Sequence, residues 1–233
     1  GNPDDVALKR MAASIVHRGP DEDGFYSDGM VNMGMRRLSI LDLSTGRQPI
    51  HNEDKTLWTV FNGEIYNFQE LRADLARKGH KFYTDHSDTE LIVHLYEEYG
   101  EAFPHKLNGM FAIALWDKKF RKLYLIRDRM GVKPLFYSVM KDNLIFGSEI
   151  KAILAHPDCR KEPNCEALYH YFTFKNIPAP FTAFEGIYSL LPGEMLIWAN
   201  GSVEKKSWWT KIIQWMKHQL KRGFFRCLKM PQG

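Results

Sequence analysis

The chain has 233 residues, of which 44% are apolar and 26% are charged, and this composition excludes a disordered or collagen-like protein. Its formal charge of +4 at pH 7 arises from the segment 210–233, which has six basic residues and no acidic ones. Without this segment, residues 1–209 carry a charge of −2, so the net charge indicates no nucleic-acid partner. No apolar run approaches the ~18 residues that span a bilayer, and the three cysteines do not suit a disulfide scaffold, so we expect a cytoplasmic protein.

Helices are predicted where apolar residues recur at helical spacing, and strands where Val, Ile, Leu and Trp cluster between turn residues. In the first half of the chain this gives helices over 3–17, 68–78 and 87–99, and strands over 29–43 and 56–61. Asn62-Gly63 follows the second strand as a turn signal. Ser87, with Glu90 three residues later, forms a capping box for the third helix.

The second half of the chain has a different pattern, in which short apolar segments follow one another across turn-sized gaps. Four strand candidates, which indicate an antiparallel sheet, lie at 109–117, 122–128, 134–140 and 143–148. Helices are predicted at 149–155 and 165–174, and a last strand pair near 187–199. Strands and helices that occur in runs predict an α+β fold.

No metal site is expected from the sequence. His156, Cys159 and Cys165 lie close together, but no second ligand pair follows at zinc-like spacing. We interpret this segment as a surface loop with two ordinary cysteines. The sequence also contains no P-loop and no glycine-rich dinucleotide motif, so no nucleotide cofactor is expected in this chain.

Four polar segments occur at predicted strand ends or helix starts: HRGPDEDG at 17–24, RRLSILDLS at 36–44, NGEIYN at 62–67 and SDTE at 87–90. The Asn62 amide beside the Gly63 N–H offers two donors to a developing oxyanion, although Asn-Gly alone is more typical of a tight turn. Arg37 could pair with a carboxylate. Glu64 and Asp88 could hold an ammonium group, although such acids are also typical of a turn and of a helix start.

In this order, the four segments resemble the glutamine-hydrolysing domain of class II glutamine amidotransferases, and in particular its asparagine synthetase branch. HRGPD and NGEIYN are similar to that branch, and the resemblance continues in RDRMGVKPLFY at 127–137, FGSEIKAIL at 146–154 and LPGEMLIW at 191–198. It covers residues 1–209, which we interpret as one glutaminase domain. Several motifs in the family's order favour functional roles for the polar residues over the turn interpretation.

The resemblance implies an N-terminal-nucleophile hydrolase fold, in which two antiparallel sheets face each other with helices outside. In this family a cysteine at the mature N-terminus attacks the side-chain amide of glutamine. Its own α-amine, with an ordinary pKa of ~7.7–8.0, acts as the base. A thioester forms and ammonia leaves.

The resemblance also implies roles for individual residues. Asn62 and Gly63 match the oxyanion-hole positions, and Arg37 matches the residue that pairs with the glutamine α-carboxylate. Glu64 and Asp88 match groups near the glutamine α-amine. Four consecutive residues match, through their backbone, the wall of the family's glutamine pocket: Leu38, Ser39, Ile40 and Leu41.

The sequence departs from the family at its start, where Gly1 begins a segment too short for the family's first strand and leading cysteine. We therefore expect one sheet to lack its first strand and to leave an open groove. Cys159, Cys165 and Cys227 lie far in sequence from a free α-amine, so we expect this polypeptide by itself to be inactive.

The resemblance stops after Trp208-Trp209, and the Ser-Gly-Gly-x-Asp-Ser loop of the family's synthetase domain does not occur in the sequence. ATP and Mg²⁺ are thus expected in that domain and not in this chain. The segment 210–233 combines helical spacing with basic side chains, which fits a surface-binding helix or a non-native continuation, and we favour the second. We expect no membrane or nucleic-acid partner.

Two functions follow from these observations. The first is the glutamine-hydrolysing part of an asparagine synthetase-like enzyme, which supplies ammonia for amidation of aspartate or another acyl acceptor. The second is a non-catalytic glutamine-binding or interaction module, which would also keep Arg37, Glu64 and Asp88 without a nucleophile.

Overall fold

The computed structural model describes residues 4–38, 46–141 and 143–210. The α-helices within these residues are α1 (Asp5–Ser14), α2 (Phe68–Arg77), α3 (Glu90–Tyr99), α4 (Ile150–Leu154) and α5 (Cys165–Phe174). Short 3₁₀ helices span Val16–Arg18 and Gly100–Lys106. The strands are β1 (Glu22–Ser27), β2 (Asn32–Arg37), β3 (Ile50–His51), β4 (Leu57–Ile65), β5 (Gly109–Asp117), β6 (Lys122–Arg127), β7 (Phe136–Met140), β8 (Asn143–Gly147), β9 (Ile187–Ser189), β10 (Glu194–Ala199) and β11 (Ser202–Ser207).

The largest sheet is antiparallel, and within the described residues its strand order is β11-β10-β6-β5-β4-β3. Strands β4 and β5 pair along their full length, from Leu57 opposite Asp117 to Ile65 opposite Gly109. Residues 111–117 of β5 are all buried because both faces of this central strand are covered. A continuous apolar run is what a strand covered on both faces requires.

The second layer has two parts in the described residues, β1-β2 and β8-β7-β9. Both parts pack on the same face of the large sheet, where Met33 and Tyr137 meet Leu125 in one apolar cluster. Helices α2 and α3 cover the opposite face, through residues such as Leu75 and Leu91. Helices α1 and α4 pack outside the second layer. The order of layers is helix, sheet, sheet, helix, which confirms the predicted α+β sandwich.

The predicted strands near 187–199 both exist, but the prediction that they pair with each other is wrong. Strand β9 joins β7 in the small sheet, and β10 joins β6 in the large one. The turn at Pro192-Gly193, where Gly193 has φ +70°, therefore carries the chain from one layer to the other and does not close a hairpin.

Three strands were not predicted, because their residues are polar or few. Strand β1 buries only Tyr26, and β3 has two residues. Strand β11 lies at the edge of the large sheet and exposes most of its charged side chains. An edge strand with charged residues carries little of the apolar alternation on which the prediction depends.

The predicted capping box at the start of α3 is also wrong. The helix begins at Glu90 with Thr89 as its N-cap, and Ser87 accepts the Thr89 N–H at 3.2 Å instead of capping the helix. The buried Glu90 carboxylate accepts the backbone N–H groups of Tyr83 and Thr84, each at 2.8 Å. Glu90 thus holds the preceding loop against the helix.

None of the helices in the part of the chain that the structure describes combines the length and apolarity needed to cross a bilayer.

Candidate functional site

A cavity of about 940 Å³ lies between the two sheet layers. Val60 and Asn62 of β4 and Ala112 of β5 line it from the large sheet. Helix α1 and strands β2 and β8 each supply at least four further lining residues. The cavity is therefore bordered by both layers of the sandwich and, on a further side, by α1.

This cavity separates two sheet edges. Among the described residues, β2 pairs only with β1 and β8 only with β7. Each strand therefore leaves one row of backbone N–H and C=O groups without a strand partner. Gly34 and Met35 of β2, and Leu144 and Phe146 of β8, line the same cavity. An extended segment placed here could hydrogen-bond to both edges and join the two parts of the second sheet.

Asn62 and Gly63 lie inside a strand, so the tight-turn interpretation of this dipeptide is wrong. Asn62 is opposite Ala112 and Gly63 is opposite Phe111 in the β4-β5 ladder. Asn62 is half-buried and lines the cavity. Its side-chain amide is carried by a strand that pairs with β5 along its full length, which is the kind of support that a pre-organised hydrogen-bond donor needs.

Gly63 is required by close packing of two backbones. A Cβ at this position would lie 2.1 Å from the Met110 carbonyl oxygen and 2.7 Å from the Phe111 Cα. Both atoms belong to backbone, which cannot move aside as a flexible side chain can. A glycine here lets β4 and β5 stay in register beside the cavity.

Gly63→Ala is expected to lower the free energy of unfolding by about 3 kcal/mol, because overlap with backbone must be relieved by separating β4 from β5. Gly29→Ala is the matched control, since its Cβ would meet no atom within 4 Å and only its φ of +82° is unfavourable. The control should cost about 1 kcal/mol. Urea denaturation followed by circular dichroism measures both, and equal losses would contradict the packing argument.

Glu64 and Asp88 lie close to each other at the end of β4. The Asp88 carboxylate accepts the Ile65 N–H at 3.1 Å, whereas Glu64 is exposed. Burial raises the pKa of Asp88, the Ile65 N–H lowers it, and the charge of Glu64 raises it further. Two carboxylates that disfavour each other's charge are suited to an ammonium group.

Gln48 was missed by the sequence analysis, and it connects the polar segments. Its side-chain oxygen accepts the Phe61 N–H at 2.7 Å, and its amide donates to the Phe61 oxygen at 3.1 Å and to Thr89 Oγ1 at 3.3 Å. It thereby joins β4 just before Asn62 to the segment just after Asp88. A glutamine before a proline carries no sequence signal for this role.

Arg37 is placed at the end of β2, and its side chain is 14% exposed. Its Nη1 lies 3.5 Å from the Glu22 carboxylate across the β1-β2 ladder. Arg37 does not line the 940 Å³ cavity, and neither do Glu64 and Asp88, whereas Asn62 does. Leu38 follows β2 and is 53% exposed. Of the remaining predicted pocket wall, Ser39, Ile40 and Leu41 lie outside the described residues, as does segment 211–233 of the predicted tail.

The described cysteines do not line the cavity. Cys159 is buried in a small apolar cluster, and burial raises the pKa of its thiol. Cys165 is exposed at the start of α5. His156 lines the cavity, and among the described residues it belongs to no group of possible metal ligands with either cysteine. In the part of the chain that the structure describes, a group of possible metal ligands occurs elsewhere, at Glu53, His80 and His94.

Comparison with known sequences gives one consistent result. A family model described as a glutamine amidotransferase domain matches residues 1–209. The protein named asparagine synthetase [glutamine-hydrolyzing] 1 of Bacillus subtilis is 43% identical over 203 residues, which cover 86% of this chain and 32% of that protein. Asparagine synthetase [glutamine-hydrolyzing] 2 of the same organism is 52% identical over 157 residues, which cover 67% of this chain and 21% of that protein. The chain spans a third or less of the length of these relatives.

Two solved structures share the architecture. The allosteric regulatory enzyme of purine biosynthesis has a TM-score of 0.59 at 20% identity, over 78% of this chain and 36% of that one. Glutamine phosphoribosylpyrophosphate amidotransferase from B. subtilis has a TM-score of 0.56 at 21% identity, over 78% of this chain and 35% of that one. At such identities the likeness is one of fold.

Proposed function

Because this chain belongs to the class II glutamine amidotransferase family, we propose that it is the glutamine-hydrolysing part of an asparagine synthetase-like enzyme. The observation that carries the proposal is the position of Asn62, on β4 in a cavity between two sheet edges that have no strand partner among the described residues. The chain has the fold of the N-terminal-nucleophile hydrolases, with two antiparallel sheet layers between helices.

The proposed chemistry is acyl transfer to a cysteine. A thiolate attacks the side-chain amide carbon of glutamine, and the carbonyl oxygen becomes an oxyanion. Donors from Asn62 and Gly63 stabilise this charge, which is greater in the transition state than in the substrate. The α-amine of the same cysteine takes the proton of the thiol and gives it to the leaving nitrogen, so that the C–N bond breaks and ammonia departs; water then hydrolyses the thioester.

Recognition of glutamine rests on its α-carboxylate and α-amine. In this proposal Arg37 binds the α-carboxylate beside the backbone of 38–41, and Glu64 and Asp88 bind the α-amine. The proximity of these two acids supports the second assignment, since an ammonium group would relieve their repulsion.

The nucleophile is proposed to come from a cysteine-led strand that pairs with β2 and β8 in the cavity. The two described cysteines support this, because neither lines the cavity. The polypeptide of residues 1–233 is accordingly proposed to be inactive without such a strand. The test is ammonia release from L-glutamine by the chain with and without a cysteine-led N-terminal extension.

The wider function is proposed from the relatives. Proteins named glutamine-hydrolysing asparagine synthetases are about three times as long as this chain or longer. We propose that ammonia from this domain amidates aspartate in a further domain that uses ATP and Mg²⁺, in the cytoplasm. Neither cofactor is assigned to the residues of this chain.

Asp88→Asn is expected to weaken glutamine binding about tenfold, because a hydrogen bond to a charged partner is lost. The same change should raise the Tm by roughly 2 °C at pH 7, since an ionised Asp88 is unfavourable in the fold while the substituted amide keeps an acceptor for the Ile65 N–H. A carboxylate with a raised folded-state pKa costs stability when ionised, so the Tm difference should shrink as pH falls through that pKa.

Calorimetry with glutamine measures the affinity, and thermal melts at pH 7 and at lower pH measure the Tm. The control is Asp85→Asn, which replaces an exposed carboxylate. Glutamine with its α-amine acetylated provides a second comparison, since it should bind wild type and Asp88→Asn equally weakly. Unchanged glutamine affinity in Asp88→Asn would contradict the assigned role.

A further inference from the structure

A second cavity, of about 260 Å³, lies at the outer side of α3 and is lined by Glu53, Lys78, Gly79, His80 and Glu97. It shares no lining residue with the cavity between the sheets. Three chain segments meet here: the loop between β3 and β4, the turn after α2, and the last turns of α3. Each of them contributes a nitrogen or oxygen that could ligate a cation.

The ligating atoms converge on one point. His80 Nδ1 lies 3.2 Å from His94 Nδ1 and 3.3 Å from Glu97 Oε2. His94 Nδ1 lies 3.1 Å from the same Glu97 oxygen and 3.8 Å from Glu53 Oε2. His94 and Glu97 are three residues apart on α3, so they share one helix face. His94 is fully buried, and the His80 side chain is 13% exposed.

These separations match the edges of a metal coordination tetrahedron. Zinc binds histidine nitrogen at ~2.0–2.1 Å and carboxylate oxygen at ~2.0–2.2 Å, which puts neighbouring ligand atoms of a tetrahedral site about 3.3 Å apart. The triangle formed by His80, His94 and Glu97 has sides of 3.1 to 3.3 Å. The Glu53 Oε2 lies 3.8 Å from His94 Nδ1, and Glu53 forms a group of possible metal ligands with His80 and His94. Its exposed side chain can move closer to Glu97.

The outward-facing atoms of three of these four residues are held by hydrogen bonds. His80 Nε2 lies 3.1 Å from Glu98, whereas His94 Nε2 lies 3.5 Å from Glu90 and makes no hydrogen bond. The other oxygen of Glu97 accepts the Asn52 amide at 2.8 Å, and that of Glu53 accepts the Lys81 N–H at 3.2 Å. Metal-ligating histidines commonly direct their second nitrogen to a carboxylate in this way.

We propose that His80, His94, Glu97 and Glu53 bind one divalent cation of the zinc class, with two imidazoles and two carboxylates as ligands. Two neutral histidines and two carboxylates balance the charge of the cation. Imidazole and carboxylate ligands in a compact, four-atom arrangement suit Zn²⁺ better than Mg²⁺ or Ca²⁺, which require more oxygen ligands. The cation ties the loop before β4 and the turn after α2 to α3.

A proton competes with the cation at this position, because a ligating imidazole must be neutral. Binding should therefore release protons and weaken as the pH falls.

The test is calorimetric titration of Zn²⁺ into untagged, EDTA-treated protein of the full chain, in two buffers of different ionisation enthalpy. We expect one equivalent bound with a micromolar or lower dissociation constant, and release of a proton. Saturating Zn²⁺ should raise the Tm by roughly 5 °C. Cobalt should give the visible absorption of a tetrahedral site without thiolate charge transfer.

Two variants and one control make the test specific. His80→Ala should weaken zinc binding at least tenfold and abolish the rise in Tm. Glu97→Gln keeps an acceptor for Asn52, so it should fold normally and weaken binding similarly. His105→Ala, which removes an exposed histidine elsewhere, should bind zinc as wild type does.

Equal zinc affinity in wild type, His80→Ala and Glu97→Gln would overturn the proposal, and so would failure of the wild type to bind zinc at high micromolar concentration. If His80→Ala fails to fold, the zinc affinity of Glu97→Gln alone decides whether the proposal stands. Because the cluster is separate from the Asn62 cavity, none of these results depends on whether the chain hydrolyses glutamine.

Discussion

Extending the chain at Gly1 by a strand-forming segment that begins with cysteine is expected to increase ammonia release from L-glutamine at least ~10⁴-fold over residues 1–233 alone. The size follows from nucleophile deletions in hydrolases, which cost about this much or more. The segment is expected to enter the cavity between β2 and β8, whose facing edges offer backbone partners on both sides. Its first residue would then lie within the cavity that Asn62 lines.

Controls for this experiment separate the thiol from the strand. The same extension led by alanine should restore the strand without activity. A glycine placed before the cysteine turns the α-amine of the cysteine into a peptide nitrogen. This change should lower the rate, because the neighbouring base is lost. Ammonia release from L-asparagine should stay at background, since the shorter side chain would not reach the thiol while its α-groups are bound.

Two outcomes would change the interpretation. Activity of residues 1–233 without any extension would contradict the proposed nucleophile and direct attention to the exposed Cys165, through Cys165→Ser. Inactivity of every version, together with retained binding of glutamine, would favour a non-catalytic glutamine-binding module.

Asn62→Ala, made in the active extended protein, is expected to lower kcat about 10²–10³-fold, the cost of removing one oxyanion donor. KM should change little, because the substrate carbonyl carries less charge than the transition state. Steady-state kinetics of ammonia release give both constants.

Asn32→Ala is the matched control for Asn62→Ala. Asn32 is also an amide that lines the cavity, but it belongs to β2 and donates to Asp5 at 2.8 Å. Its loss should change kcat by less than about tenfold, because it has no part in the oxyanion hole. If both variants lose kcat equally, a general disturbance of the cavity explains the loss and the donor role of Asn62 is contradicted.

The strands at the centre of the large sheet could be predicted because burial leaves a clear pattern. Strands β5 and β6 are read from apolar runs such as FAIALW and LYLI, and both are buried in the structure. The edge strands β1 and β11 could not, because an exposed edge imposes no apolar alternation. Strand prediction therefore succeeded where packing constrains residue type and failed at the polar edge strands β1 and β11.

The candidate site shows a different limit. Asn-Gly is typical of a turn when read locally, but Gly63 is present because the β5 backbone leaves no space for a Cβ. That contact joins residues far apart in sequence. The link made by Gln48 and the cluster of His80 and His94 with Glu53 are likewise long-range, so neither could be seen in local spacing.

The divided second sheet has a consequence for inhibition. A strand that enters the gap binds through its main chain, and main-chain hydrogen bonds discriminate poorly between sequences. A peptide of suitable length without a cysteine should therefore occupy the gap and exclude the catalytic strand when that strand is supplied as a separate peptide. Such a peptide would compete with the strand and not with glutamine, so no concentration of substrate would restore the rate.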